Sequence, residues 1–335
     1  MVSKAKNKNI IFIIALAVLL VLIFILGLAL GSTFISPGDV IKGLFDNSSG
    51  VTQSVIVRSV RLPRVLGGLF AGIGLSVAGV ILQGVMNNAL ASPSTIGVGS
   101  GAGFFVMLAM VLFPRKIFLQ PVFAFLGALT ASLLIFALAY FADTSRIAII
   151  LAGITVSSFL TAGINLLKTL NTDMVLNINS FLIGSLSGTS GSKILIPSIA
   201  IAAATVIAMF MARPLNLLGL GEETAGSLGM NVGLVRFLLI MISSVLAGCV
   251  VSYAGLLSFA GLIVPHICRR LFGNDARLLL PCSALLGGSF VIFCDLVSRV
   301  AFRPYELPTG ILMAFVGGPF FMYLLLRKKG GRRIK

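Results

Sequence analysis

Residues 10–30, "IIFIIALAVLLVLIFILGLAL", run for 21 positions without a charged side chain. As a helix, such a run crosses the roughly 30 Å hydrocarbon core of a bilayer. It is not isolated. Hydrophobic residues make up 58% of the chain and charged residues 10%, against about 25% charged in soluble proteins. No soluble fold could hide this much apolar surface. The basic start "MVSKAKNK" imitates the front of a cleaved signal peptide. The apolar core is too long for one, however, and no convincing small-x-small cleavage site follows it, so the first span is read as retained.

Only helices and closed barrels satisfy the backbone in lipid, and uninterrupted runs of this length are helices. Ten candidate spans emerge, near 10–32, 65–86, 96–113, 121–142, 147–169, 193–212, 236–254, 256–272, 279–297 and 308–326. The expected fold class is an all-α integral membrane protein, with residues 1–335 forming a single transmembrane domain. The pair at 236–272 is separated only by "SYAGLLS"; it is divided because 37 residues exceed one span and Arg269 and Arg270 mark an end. With the N-terminus inside, fifteen of the 25 Lys and Arg residues fall on the inner side. Ten spans place both ends on one side and both ends are basic, which favours N-in and C-in. The net charge of +16 is scattered between apolar runs rather than gathered on one domain, so it speaks for membrane orientation and not for a nucleic-acid partner.

In that orientation Arg58, Arg61 and Arg64 of "SVIVRSVRLPRVLGGLFAG" lie outside, against the rule. Pro63 suits the first helical position of the second span. Arg64 would then sit in the first turn, opposing the helix dipole at about 0.3–1 kcal/mol. Two readings stay open: snorkelling to anionic headgroups, or an acidic partner outside the membrane. Asp295 is the main intramembrane acid, and Arg299 one helical turn onward is its expected partner. Residues 213–235, "RPLNLLGLGEETAGSLGMNVGLV", form the longest inner connection. Glu222 and Glu223 fit the first turn of a short helix, Gly229 its stop and Asn231 the cap of the next helix. Two short helices are expected there, either packed on the inner face or serving as a docking lug.

Several chemistries are argued against. No GxxxxGK[ST] occurs, so no nucleotide is expected through a P-loop. His266 is the only histidine, without fellow ligands, and no nucleophile elbow or carboxylate pair points to catalysis. Cys249, Cys268, Cys282 and Cys294 lie in or beside apolar segments and read as small hydrophobes. Gly68 with Gly72, Gly97 with Gly101, Gly99 with Gly103, and Gly184 with Gly188 have GxxxG spacing, which permits close helix approach.

Three stretches together resemble a known family. "RLPRVLGGLFAGIGLSVAGVILQGVMNNALASPSTIGVGSGAG", "GLLSFAGLIVPHICRRLFGNDARLLLPCSALLGG" and "CDLVSRVAFRPYELPTGILMAFVGGPFF" look like the ordered signatures of the FecCD-type permeases of ABC importers for iron–siderophore, haem and cobalamin. The similarity covers roughly 55–330. It implies a ten-span subunit of the bacterial cytoplasmic membrane that works beside a second permease, identical or paralogous. Two ABC ATPase subunits carrying ATP-Mg would dock inside, an extracytoplasmic binding protein would deliver a metal chelate outside, and this chain would bind no cofactor. An ion-gradient-driven secondary transporter is the rival class, with fewer buried carboxylates here than such a carrier would need. By resemblance, Arg61, Arg64 and Arg299 match the docking arginines. Gly221, Glu222, Glu223, Ala225, Gly226, Leu228 and Gly229 match the ATPase-coupling loop, and Asn88, Leu90, Thr144 and Ser145 match the cytoplasmic gate. The usual NPLA reads NALA here, with Ala89 in place of proline.

Overall fold

The computed structural model describes residues 2–31, 35–36, 38–40, 52–141, 146–302 and 305–329. Every regular element among them is helical. In chain order these are α1 (Val2–Ala29), α2 (Leu62–Val85), α3 (Val98–Leu112), α4 (Gln120–Phe141), α5 (Arg146–Leu170), α6 (Val175–Ile183) and α7 (Gly191–Phe210). They continue with α8 (Ala212–Gly219), α9 (Glu222–Ser227), α10 (Val232–Ala254), α11 (Ala260–Phe272), α12 (Ala276–Val300) and α13 (Thr309–Lys329). Seven helices among the described residues are long and apolar enough to cross a membrane, while Val98–Leu112 and Thr309–Tyr323 are shorter apolar stretches. Helix α11 has only 13 residues, about 20 Å at 1.5 Å per residue. Helix α6 was not anticipated from the sequence.

The short helices have a common cause. Helices α3 and α11 are each entered from irregular backbone, through the 3₁₀ turn Pro93–Ile96 and Gly97 in one case and residues 255–259 in the other. Gly97 and Phe259 take left-handed conformations, with φ of 69° and 68°. For Phe259 this is a strained choice. Its ring is held against α13 at Gly317, where any Cβ would run into it. Both breaks border one partly open pocket of about 230 Å³ between Leu75, Ser92, Ser94, Val251, Leu257 and Ser258. Non-helical backbone at membrane depth is tolerated where protein or a cavity surrounds it.

Helix α2 is the central rod, with 78% of its apolar window buried, against 11% for α1, which faces outward. Its most extensive neighbour is α12, followed by α10. Lipid tails are as apolar as leucine, so helices associate there by close packing rather than by hydrophobic burial. Gly72 and Gly79 provide this on one face of α2. A methyl group at Gly72 would enter the backbone of Gly287 and Gly288 on α12, and one at Gly79 would enter Gly261 on α11. Gly101 and Gly127 bring α3 and α4 together in the same way. All four cysteines are buried and unbridged.

Candidate functional site

Two polar assemblies stand at opposite ends of the α2–α12 pair. At the first, the chain entering α2 is already helical: Thr52–Val55 leads into a π-turn over Ile56–Arg61, closed by Leu62 N–H donating to Val57 O. Pro63 therefore does not begin the helix, and Arg64 does not lie in a first turn opposing the dipole. The wider π-turn sits directly upstream of a residue that has no N–H to donate and whose ring crowds the preceding turn. Headgroup snorkelling also fails for the two arginines beside it, since Arg61 is 4% and Arg64 6% exposed. Arg58 remains half-buried on the π-turn.

Arg61 and Arg299 serve the C-terminus of α1. Arg61 Nη1 donates to Leu28 O and Ala29 O, both at 2.8 Å. Arg299 Nη2 donates to Gly27 O at 3.2 Å and Nη1 to Leu30 O at 3.4 Å. The last carbonyls of a helix lack intrahelical donors and carry the negative end of its dipole, so guanidinium groups satisfy both deficits. Arg64 instead faces two acids. Its Nε lies 3.0 Å from Asp295 Oδ1, and its Nη1 2.7 Å from Glu306 Oε2. Asp295 is also 3.0 Å from Arg299 Nε, the i,i+4 pair expected from the sequence, and accepts from Thr309 Oγ1 at 3.0 Å. Asp295 is therefore the hub that joins α2, α12 and the start of α13. Glu306 and Thr309 were not singled out from the sequence. The signal available was the chain's total of nine acids: with acids this rare beside apolar spans, each one needs a partner.

At the other end, α8 packs on the last turn of α2 through Leu215, whose side chain fills the space a Cβ at Gly84 would need. Asn216 ties the same helix to the start of α12. Its Nδ2 donates to Asp275 Oδ1 at 2.8 Å, and its Oδ1 accepts from Ala276 N at 2.8 Å. Asp275 is also the N-cap of α12, accepting from Arg277 N at 3.0 Å. That backbone bond, with Asn216, holds its carboxyl below the usual range. Glu222 and Glu223 occupy the first turn of α9, and Glu222 pairs with buried Arg236 of α10 at 2.7 Å. Gly221 and Gly229 supply φ values of 110° and 83° on either side of α9. Gly229 N donates to Gly226 O and Met230 N to Ala225 O, a Schellman stop. Ala225 is buried and Leu228 is exposed. Asn231 caps α10 by accepting from Leu234 N at 3.0 Å.

Between these helices lies a polar cleft of about 560 Å³, bordered by Gln83, Asn87, Asn88, Asn216, Arg269 and Asn274. Arg269 donates to Gln83, whose Nε2 donates to Gly261 O at 3.2 Å, so α11 is bound to α2 at this level. Asn88 folds the turn after α2, its Oδ1 accepting from Leu90 N at 2.9 Å. Thr144 and Ser145, placed in the gate by resemblance, lie outside the described residues. His266 packs edge-on against Phe320, with ring centroids 6.0 Å apart.

Long apolar helices joined by close glycine-mediated contacts define a multi-pass membrane protein. The sequence profile of the FecCD transport family matches residues 19–327, and the chain belongs to that family. It is 34% identical to the Fe(3+)-citrate import system permease protein YfmE of Bacillus subtilis (strain 168), over 96% of this chain and 97% of that protein. It is 35% identical to the Hemin transport system permease protein HmuU of Yersinia pestis, over 93% of this chain and 95% of that protein. A solved structure, described as an inward-facing conformation of a metal-chelate type ABC transporter, superposes with a TM-score of 0.84 at 30% identity. It covers 94% of this chain and 98% of that one.

Proposed function

We propose that the chain is the permease subunit of an ATP-driven importer that takes an iron–siderophore complex from an extracytoplasmic binding protein. The observation that carries this reading is near-full-length similarity to permeases named for ferric-citrate and hemin import. Ten spans would place both termini in the cytoplasm of a bacterium, with the arginine cluster outside and α8–α9 inside. A second permease, identical or paralogous, would complete the pathway. Two ABC ATPases would supply ATP-Mg. Identity does not separate the cargoes, because the hemin permease is as similar as the ferric-citrate one. Haem or cobalamin therefore stands as the second reading of the substrate.

In this proposal Arg61, Arg64 and Arg299 form the docking face for the binding protein. Asn88 and Leu90, with Thr144 and Ser145, form the inner gate. The segment from Gly221 to Gly229, with Glu222, Glu223, Ala225, Gly226 and Leu228, forms the lug that an ATPase grips. Because Leu215 bears on α2 and Asn216 on α12, a push on the lug reaches both central helices at once. Passage of the chelate is physical, with no covalent step in this chain.

Glu222 is a poor site for testing the lug, because it is ion-paired with buried Arg236 and its loss would disturb packing as well as any partner contact. Glu223 is exposed in the same turn. Glu223→Arg is expected to leave the thermal midpoint of the reconstituted transporter unchanged. Transport per ATP hydrolysed should fall severalfold, because a charge reversal at an interface repels the correct partner. Full coupling in that variant would place the lug elsewhere.

A further inference from the structure

The two acids that face Arg64 are held in different ways. Asp295 is 1% exposed and clamped by Arg64, Arg299 and Thr309. The Glu306 side chain is 37% exposed, stands on the non-helical stretch before α13, and has Arg64 as its polar partner. An arginine fork suits a carboxylate through two parallel N–H bonds. Arg64 engages Glu306 through Nη1 alone, while its buried Nη2 has no hydrogen-bond partner. Asp295 and Glu306 are paired with Arg64 and Arg299, while Arg61 donates to the carbonyls of Leu28 and Ala29.

Building on the docking role proposed above, we propose that Glu306 is a stand-in carboxylate. It occupies Arg64 Nη1 in the free permease and is displaced when a carboxylate of the binding protein takes that position. Exchange keeps the buried guanidinium paired throughout, whereas an unpaired buried charge is strongly unfavourable. The backbone next to it is held on both sides, with Tyr305 N donating to Phe302 O at 2.9 Å and Leu307 N to Ser298 O at 3.2 Å. Exchange is therefore a rotation of one side chain into water, not a loop movement. Docking strength is then set by competition between two carboxylates for one arginine, and a partner without a well-placed acid is turned away by Glu306.

The test uses the full transporter, permease with its ATPase, in lipid nanodiscs, and compares wild type with Glu306→Gln. Modification of Arg64 by butanedione, followed by peptide mass spectrometry, should be roughly two- to fivefold faster in the variant, the range that a partly exposed ion pair represents. Acetate should slow the reaction in the variant and leave wild type unaffected. A binding protein that delivers substrate to the wild-type transporter should bind the variant tighter by the same factor. If Glu306→Gln does not insert, Glu306→Asp is expected to move both readouts in the same direction by less. Equal Arg64 reactivity in wild type and variant overturns the stand-in role. Faster modification with unchanged binding-protein affinity overturns displacement by that protein, leaves the Glu306–Arg64 pair in place and retires docking at Arg64.

Discussion

Asp295→Asn is expected to lower stability by about 3–5 kcal/mol, the cost of removing one partner from a buried ion pair. The variant keeps the side-chain shape and loses the charge. Arg64 would then rely on Glu306, which is partly exposed, and Arg299 on the carbonyls of Gly27 and Leu30. Both guanidiniums are nearly inaccessible to water. The loss would be felt at three places: α2 through Arg64, α13 through Thr309, and α1 through Arg299. The four buried cysteines offer a direct readout, because a thiol-reactive dye reports their exposure on heating. A sharp fall of that midpoint is expected in Asp295→Asn. An unchanged midpoint would mean that the cluster contributes little to holding the helices together.

Gly79→Val is expected to abolish accumulation of folded protein. Any side chain at Gly79 meets the backbone of Gly261, which cannot move aside without separating α2 from α11. Overpacking by a methylene or two costs about 1–3 kcal/mol when side chains can adjust; here the obstacle is main chain, so the effect should exceed that range. Gly72→Val, against Gly287, should behave alike. Gly191→Ala is the control, because nothing stands within 4 Å of its added methyl. Membrane levels and monodispersity in detergent would distinguish them. Normal levels of Gly79→Val would refute the close α2–α11 approach.

Legibility in the sequence tracks the physical range of each interaction. Interactions along one helix or within one turn were legible: the Asp295–Arg299 pair four residues apart, the Asn231 cap, the acids opening α9 and Gly229 closing it. So was the need for close packing at Gly72 and Gly101. Their partners Gly287 and Gly127 were not, because spacing on one helix says nothing about which helix lies opposite. The same limit hid the Arg64–Asp295 contact, 231 positions apart in sequence, and the Asn216–Asp275 clamp, 59 apart. The burial of Arg61 and Arg299 against α1 was hidden for a further reason. Their acceptors are backbone carbonyls, and any residue type supplies those. Pro63 misled, because a proline that begins a helix and one that succeeds a π-turn look alike in one dimension.

The central claim is ATP-driven import of a metal chelate through this chain. Its most direct test is uptake of radio-iron into proteoliposomes holding the permease and the ATPase that co-purifies with it, with the binding protein outside. Ferric siderophores would be offered in parallel with haem and cobalamin. Iron–siderophore accumulation is expected only with internal ATP. It should cease when the ATPase cannot hydrolyse ATP, and it should be indifferent to a protonophore. Uptake that survives an inactive ATPase and collapses with the protonophore would contradict the account and make the chain an ion-gradient-driven carrier.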